Sequence, residues 1–229
     1  MAISGNLVRL NWDSDFFGKE IANFEQTENT TSLTLSMLEQ YDFAQAKINA
    51  NSPDSINLLQ SLGFKYVEGE IIFQKQTDFQ CPQEEIIPAK YDDLDQLRNI
   101  VNNAYKHSRF CLPWFALSDK ERFYATWVEK AVQGQFDDIC LCIKNEEKVL
   151  GFITLKKVET ICRIGLIAVA VDARGQQIGS KLMQLANNYA LKQQLTTIQV
   201  ATQLTNIPAI NFYNKLDYKT HSISHWLYR

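Results

Sequence analysis

Between Asp172 and Ser180 the sequence holds its best-equipped stretch for chemistry. An apolar run, LIAVAV, passes through Asp172 and Ala173 into Arg174, Gly175, Gln176, Gln177, Ile178 and Gly179, and then into a helical pattern. Small glycines let backbone N–H groups approach a ligand, the positive end of a helix starting near Gly179 adds its dipole, and Arg174 adds a fixed positive charge. Together these make a cradle for an anion such as a pyrophosphate. The spacing is neither that of a Walker loop nor the Gly-x-Gly-x-x-Gly of a dinucleotide site. A helix start with a tight turn is the plainer use of the same residues. Elsewhere the reactive side chains read as structural. Cys81, Cys111, Cys140, Cys142 and Cys162 lack zinc-type spacing and are expected as buried thiols, with Cys140 and Cys142 on one face of a strand. His221 and His225 have no further ligands nearby, so no metal is expected.

The elements that must carry the cradle follow from periodicity. A polar, Pro-containing break over residues 77–83 separates an expected N-terminal domain, residues 1–80, from a second one, residues 84–229. In the first, LVRLNW reads as a strand, DSDFFG as a turn, SLTLSMLEQY as a helix, FAQAKINA as a strand, DSINLLQSLGF as a helix and YVEGEIIFQK as a closing strand. In the second, EIIPAKY reads as a strand. DDLDQLRNIVNNAY follows as a helix with Leu94, Leu97, Ile100 and Val101 on one face. An aromatic stretch, HSRFCLPWFA, and the helix KERFYATWVEKAVQ come next. Three strands follow (DDICLCIKN, KVLGFITLKKV, TICRIGLIAVAV), the first two joined by a polar hairpin at Asn145 to Glu147. The chain closes with helix GSKLMQLANNYALKQQ, strand TIQVATQ, helix IPAINFYNKLDY and strand SISHWLYR. LLQSLGFKYVEGEIIF and INFYNKLDYKTHSISHWLY also look like copies of one helix–turn–strand unit, with Leu59 in the first where Tyr213 stands in the second.

Arg174-Gly175-x-x-Ile178-Gly179-Ser180, followed some thirty residues later by Asn206-x-x-Ala209-x-x-x-Tyr213-x-x-x-Asp217-Tyr218, resembles the GCN5-related N-acetyltransferase (GNAT) family. The resemblance implies an α/β (α+β) fold: a mixed, mostly antiparallel sheet with splayed central strands, here preceded by a smaller α/β domain. It implies acetyl-coenzyme A as co-substrate and no metal. The pyrophosphate would lie on Arg174, Gly175, Gln176, Gln177, Ile178, Gly179 and Ser180, with Asn206 nearby. The pantetheine arm would pair with the strand edge at Ala168, Val169 and Val171, and a backbone N–H near Val169 would polarise the thioester carbonyl. Tyr213 occupies the family's proton-donor position, although the same residue would pack the core of an amphipathic helix. Two departures stand out: Gln177 replaces the motif's first glycine, and Asp217 replaces a glycine before an aromatic.

Further segments, SRFCLPWFALSDKERFYATWVEKAVQGQFDDICL, QVATQ, VEGE and the terminal WLYR, resemble members of the family that acetylate the 4-amino group of dTDP-4-amino-4,6-dideoxy-D-galactose for a surface polysaccharide, enterobacterial common antigen. That implies a nucleotide-sugar acceptor, Glu68 as the base for the amine proton, a site shared by the two domains, and a homodimer. Glu68 and Glu70 equally fit a solvated strand face. For the acceptor's diphosphate and thymine, Arg109 with Trp114, Phe115 and Tyr124 are candidates, with His107 beside them, because phosphate suits a guanidinium and a pyrimidine suits a ring face. Other acceptor amines and a non-catalytic acyl-CoA-binding module remain open.

Composition agrees with a small-molecule ligand. The chain has 229 residues, 45% of them apolar, and 23 Lys and Arg against 26 Asp and Glu, with no dense basic block of the kind nucleic acid or an anionic membrane requires. The N-terminal stretch carries charges and Trp12 where a leader needs an apolar run, so a cytoplasmic protein is expected.

Overall fold

Period-two burial marks the strands over 65–76 and 161–169, and residues at positive φ follow five of the helices, at Gly18, Gly63, Gly134, Gln194 and Asp217. The computed structural model describes residues 3–27, 31–82, 85–105 and 108–229. They form two units. The first comprises Met1–Ile71, Gln203–Thr205 and Ser222–Arg229; the second comprises Ile72–Thr202 and Asn206–His221. The division falls inside a strand, and the break expected over 77–83 lies within the second unit, with Gln83 outside the described residues.

In the first unit, β1 (Gly5–Arg9) runs antiparallel to β2 (Ile21–Gln26), and β2 parallel to β3 (Phe43–Asn49). β3 pairs antiparallel with the end of the C-terminal strand β9 (Lys219–Tyr228), and the first half of β4 (Lys65–Gln76) follows in the order β1-β2-β3-β9-β4. Phe24, Leu38, Ala46, Leu59, Phe64 and Leu227 form its core. Three local expectations change. DSDFFG is not a turn but part of helix α1 (Asn11–Phe17), where Trp12 and Phe16 stack one turn apart at 4.7 Å and Gly18 closes the helix at φ 63°. β2 had no place in the sequence reading, because six residues carry too little pattern beside that aromatic run. The helix expected over SLTLSMLEQY shrinks to α2 (Leu35–Leu38), since Thr34 Oγ1 accepts the Met37 N–H and so starts the helix inside the run.

Helix α3 (Pro53–Ser61) enters β4 through Gly63 at φ 91°, with the Phe64 N–H returning to the Leu59 carbonyl at 3.1 Å. The second unit repeats this step. Helix α7 (Ile207–Lys215) enters β9 through Asp217 at φ 63°, with the Tyr218 N–H returning to the Tyr213 carbonyl at 3.0 Å. Both helices carry Pro in the first turn. The expected repeat is therefore matched bond for bond, and Leu59 and Tyr213 are buried at equivalent places.

In the second unit, helices α4 (Leu94–Ala104) and α5 (Leu117–Val132) precede the antiparallel strands β5 (Ile139–Asn145), β6 (Lys148–Val158) and β7 (Ile161–Val169). Helix α6 (Ile178–Lys192), strand β8 (Thr197–Gln203) and α7 follow, and the strand order is β4-β8-β7-β6-β5. Leu94, Leu97, Ile100 and Val101 are buried on one face of α4, as their spacing requires. EIIPAKY is not a strand. Pro88 lacks the N–H a ladder needs, so contact with β5 stops at one bridge, with the Ala89 N–H on the Cys140 carbonyl at 2.8 Å. Cys140, Cys142 and Cys162 are buried, whereas Cys111 is exposed and Cys81 half-buried, so the expectation of five buried thiols holds for three. Among the described residues, no helix is long and apolar enough to cross a membrane.

Candidate active site

The second unit contains a fork. β7 pairs in parallel with β8 only from Ile161 to Ile164, opposite Thr197 to Val200; both strands then continue apart. On its other side β7 stays paired with β6 through Val169. Antiparallel pairing alternates the backbone direction. The Ala170 N–H bonds the Leu150 carbonyl at 2.9 Å, so Ala168, two residues back, also faces β6, while Ile167 and Val169 aim their N–H and C=O into the fork. Val169 is thus placed with its backbone towards the fork. Ala168 is not: it turns its backbone to β6. Val171 has left the strand for a short 3-10 turn, Val171–Ala173, and is exposed.

A buried network shapes this part of β7. The β6–β7 register shifts between Ile153 and Leu155, and the fully buried Thr154 takes the place of a ladder partner, its Oγ1 accepting the Leu166 N–H at 2.7 Å. The Thr154 hydroxyl donates to Asp137 Oδ2 at 2.7 Å, and the Trp127 indole N–H donates to the same oxygen at 2.8 Å. Gly165 is glycine of necessity, because a Cβ there would stand 2.2 Å from Asp137 Oδ2.

β7 delivers the chain to the loop ahead of α6. Arg174 is extended, Gly175 takes φ 75° and Gln177 takes φ 60°, after which Ile178 is buried and starts the helix. Gln177 adopts the left-handed angles a glycine would favour and leaves its side chain exposed, so the backbone path survives the substitution. Gln176 is tied back, its Nε2 donating to the Asp172 carbonyl at 3.0 Å, and Asp172 pairs with Lys148. Gly179 fits closely against α7, where a Cβ would lie 3.2 Å from the Phe212 ring. The first-turn N–H groups of α6, including those of Gly179 and Ser180, have no partner within the helix. With Arg174 exposed beside them, the loop is suited to an anion. Asn206 serves the fold itself, because its Oδ1 accepts the Ala209 N–H at 3.4 Å as the N-cap of α7 and its Nδ2 donates to Thr202 Oγ1 at 3.0 Å.

Tyr213 on α7 is 3% exposed and packs against Phe73 at 5.5 Å between ring centres. Burial raises its pKa well above the ordinary phenol value, so it is protonated at neutral pH. The sequence reading missed Tyr105, which follows α4. Its hydroxyl accepts the Ile167 N–H at 2.9 Å and donates to the Ile167 carbonyl at 3.1 Å, on the fork side of β7. Burial first, and then the phenol of Tyr124, hold the Tyr105 hydroxyl well above the phenol range; Tyr213 adds to this. An aromatic at a helix end carries no sequence signal for such a role.

The expected acceptor residues separate. Tyr124 is packing: its ring stacks on Tyr105 at 4.4 Å and 15°, and its hydroxyl pairs with Ser108 Oγ at 2.8 Å, so that face is not available to a pyrimidine. Phe115 is buried against Phe110. Arg109 lies with its guanidinium 4.4 Å over the Phe110 ring, half-buried, and Trp114 is half-buried. His107 lies outside the described residues. In the first unit, Glu68 Oε2 accepts the Thr205 hydroxyl at 2.7 Å and Oε1 the Gly69 N–H at 2.9 Å. Glu70 instead pairs with Lys47 and accepts the Trp226 indole N–H at 3.0 Å. The two acids alike in sequence thus differ in company. Among the described residues, no group of three or more His, Cys, Asp or Glu could hold a metal ion.

The model of the Acetyltransferase (GNAT) family matches residues 95–218. The chain is 34% identical to the dTDP-fucosamine acetyltransferase of Escherichia coli over all of both chains. It is 20% identical to the spore coat polysaccharide biosynthesis protein SpsD of Bacillus subtilis, over 90% of this chain and 76% of that one. Among solved structures, a GCN5-related N-acetyltransferase from Kribbella flavida superposes with a TM-score of 0.59 at 14% identity, covering 98% of this chain and 87% of that one. The fork, the loop and the family match together place this chain in the GNAT family, as an acetyl-CoA-dependent N-acetyltransferase.

Proposed function

We propose that the enzyme moves acetyl from acetyl-CoA to the 4-amino group of dTDP-4-amino-4,6-dideoxy-D-galactose, by direct attack within a ternary complex, for a surface polysaccharide such as enterobacterial common antigen. The observation that carries this reading is the 34% identity, over the whole of both chains, with a dTDP-fucosamine acetyltransferase. The loop from Arg174 to Ser180 would hold the pyrophosphate, and the fork-facing edge of Val169 and Ile167 the pantetheine arm, as a paired strand would. The amine nitrogen attacks the thioester carbonyl, a carbon–nitrogen bond forms, and the carbon–sulfur bond breaks. Tyr213 gives its proton to the departing thiolate. Glu68, held by two neutral donors, takes the amine proton through water, whereas Glu70 is engaged by Lys47 and by the Trp226 indole. Arg109 and Trp114 remain the proposed contacts for the nucleotide diphosphate. Two subunits forming a cytoplasmic homodimer belong to the same reading.

A thiol-release assay tests it, with acetyl-CoA and dTDP-4-amino-4,6-dideoxy-D-galactose beside the 4-epimer and a lysine peptide. Selective turnover of the first is the expected result. Release with the peptide alone would overturn the acceptor and leave the family untouched. Tyr213→Phe should lower kcat by about 100-fold or more with acetyl-CoA affinity nearly unchanged, because a general acid acts only in the transition state.

A further inference from the structure

Ile167 sits three residues beyond the last β7–β8 pair, where among the described residues no strand meets its outward N–H and C=O. A single side chain satisfies both, since the Tyr105 hydroxyl accepts the one and donates to the other. A phenol oxygen thereby does here what an amide of an added strand would do. The ring is held in place by its stack on Tyr124, and the Tyr105 main-chain N–H is anchored on the Val101 carbonyl at 3.2 Å.

Position along β7 says which part of the co-substrate this phenol stands in for. The loop of Arg174 to Ser180 follows β7 directly. Val169 is the first fork-facing residue back from it, and Ile167 lies about 7 Å further along the strand. An arm anchored by its pyrophosphate at the loop meets Val169 first and reaches Ile167 with its thioester end.

We propose that Tyr105 is a built-in occupant of the acyl end of the groove: its hydroxyl holds the Ile167 N–H and C=O, and acetyl-CoA must displace it to load. Once displaced, the same Ile167 N–H is the donor that polarises the thioester carbonyl, two residues before the Val169 position expected from the sequence. The inference rests on the reading of the β7 edge as the pantetheine site.

Tyr105→Phe tests it, because the ring and its stack on Tyr124 are kept and only the competing hydroxyl is removed. Titration calorimetry with acetyl-CoA should show binding about fivefold tighter in the variant, the scale of one net hydrogen bond no longer broken on loading. The fragment 3'-phosphoadenosine 5'-diphosphate, which stops at the loop, should bind both proteins equally. In wild-type protein carrying 3-fluorotyrosine, the resonance that Tyr105→Phe removes should shift on adding acetyl-CoA and stay in place with the fragment. Equal or weaker acetyl-CoA binding by the variant, equal tightening for the fragment, or an unmoved resonance at saturation would each overturn the proposal. Wild-type protein that binds the fragment but gains nothing from the acetyl-pantetheine arm would refute the underlying reading of the groove instead.

Discussion

Thr154→Val removes one hydroxyl and breaks two buried contacts. Thr154 is fully buried and Asp137 is 3% exposed, so neither broken partner regains water. The Leu166 N–H loses its acceptor, which costs about 1–3 kcal/mol, and the Asp137 carboxylate loses one of its two side-chain donors, worth about 1.5–3 kcal/mol. The added methyl offsets about 1 kcal/mol at most, leaving a net loss of about 3 kcal/mol. For a unit of this size that is a fall in Tm of about 6–12 °C. Thr154→Ser is the internal control: it keeps the hydroxyl, removes one buried methyl, and should cost about 1 kcal/mol. Scanning calorimetry and guanidinium titration of both variants read the difference. Because Thr154 also sets the bulge that aims Ile167 at the fork, acetyl-CoA affinity should drop in the Val variant and persist in the Ser variant. Equal Tm values for the two variants would refute the reasoning, since the hydroxyl would then not be the element holding the bulge.

Gly165→Ala should be as damaging as Thr154→Val, because its Cβ would meet Asp137 Oδ2 at 2.2 Å and Thr154 Oγ1 at 2.8 Å; a loss of about 3 kcal/mol in denaturant titration is expected. Gln177→Gly relieves about 1–2 kcal/mol of left-handed strain against a freer unfolded chain, for a net gain of about 0.5 kcal/mol and a Tm about 1–2 °C higher. Burial pushes the Cys142 thiol up to about 11 and the Cys162 thiol up to about 12, so at pH 8 Ellman's reagent should modify Cys111 and Cys81 in native protein and reach the other three only after unfolding. The same shifts set a sign for pH. Unfolded thiols ionise near 9.0 while the buried ones stay protonated, so stability should fall as pH rises from about 9 towards 12, measured by denaturant titration across that range.

Much of the second unit was legible from residues 92 to 218. The α4 face, the β5–β6 hairpin and the helix starts after Gln177 and Asn206 are local events, written in residues a few positions apart. The loop of Arg174 to Ser180 was legible for the same reason. Its backbone angles depend on Gly175 and on a residue tolerated at positive φ, and both lie within the motif. The left-handed closure at Asp217 is equally local.

Contacts between distant residues were decided by tertiary structure. Tyr124 looked like a ring free to stack on a base, and only folding placed Tyr105 on its face. Which of Ala168 and Val169 faces the fork depends on the β6 register, and that register is shifted by Thr154, whose partner Asp137 is seventeen residues earlier in the chain. Glu68 and Glu70 have the same sequence environment; Lys47 and Trp226 separate them, from strands far away in sequence. The fork itself exists only because β7 and β8 stop pairing after Ile164 and Val200. Sequence determined most of the strands and the backbone of the loop ahead of α6, because short-range periodicity and backbone sterics suffice for them. Tertiary structure decided the occupants of the site, because burial and hydrogen-bond pairing are properties of neighbours in space.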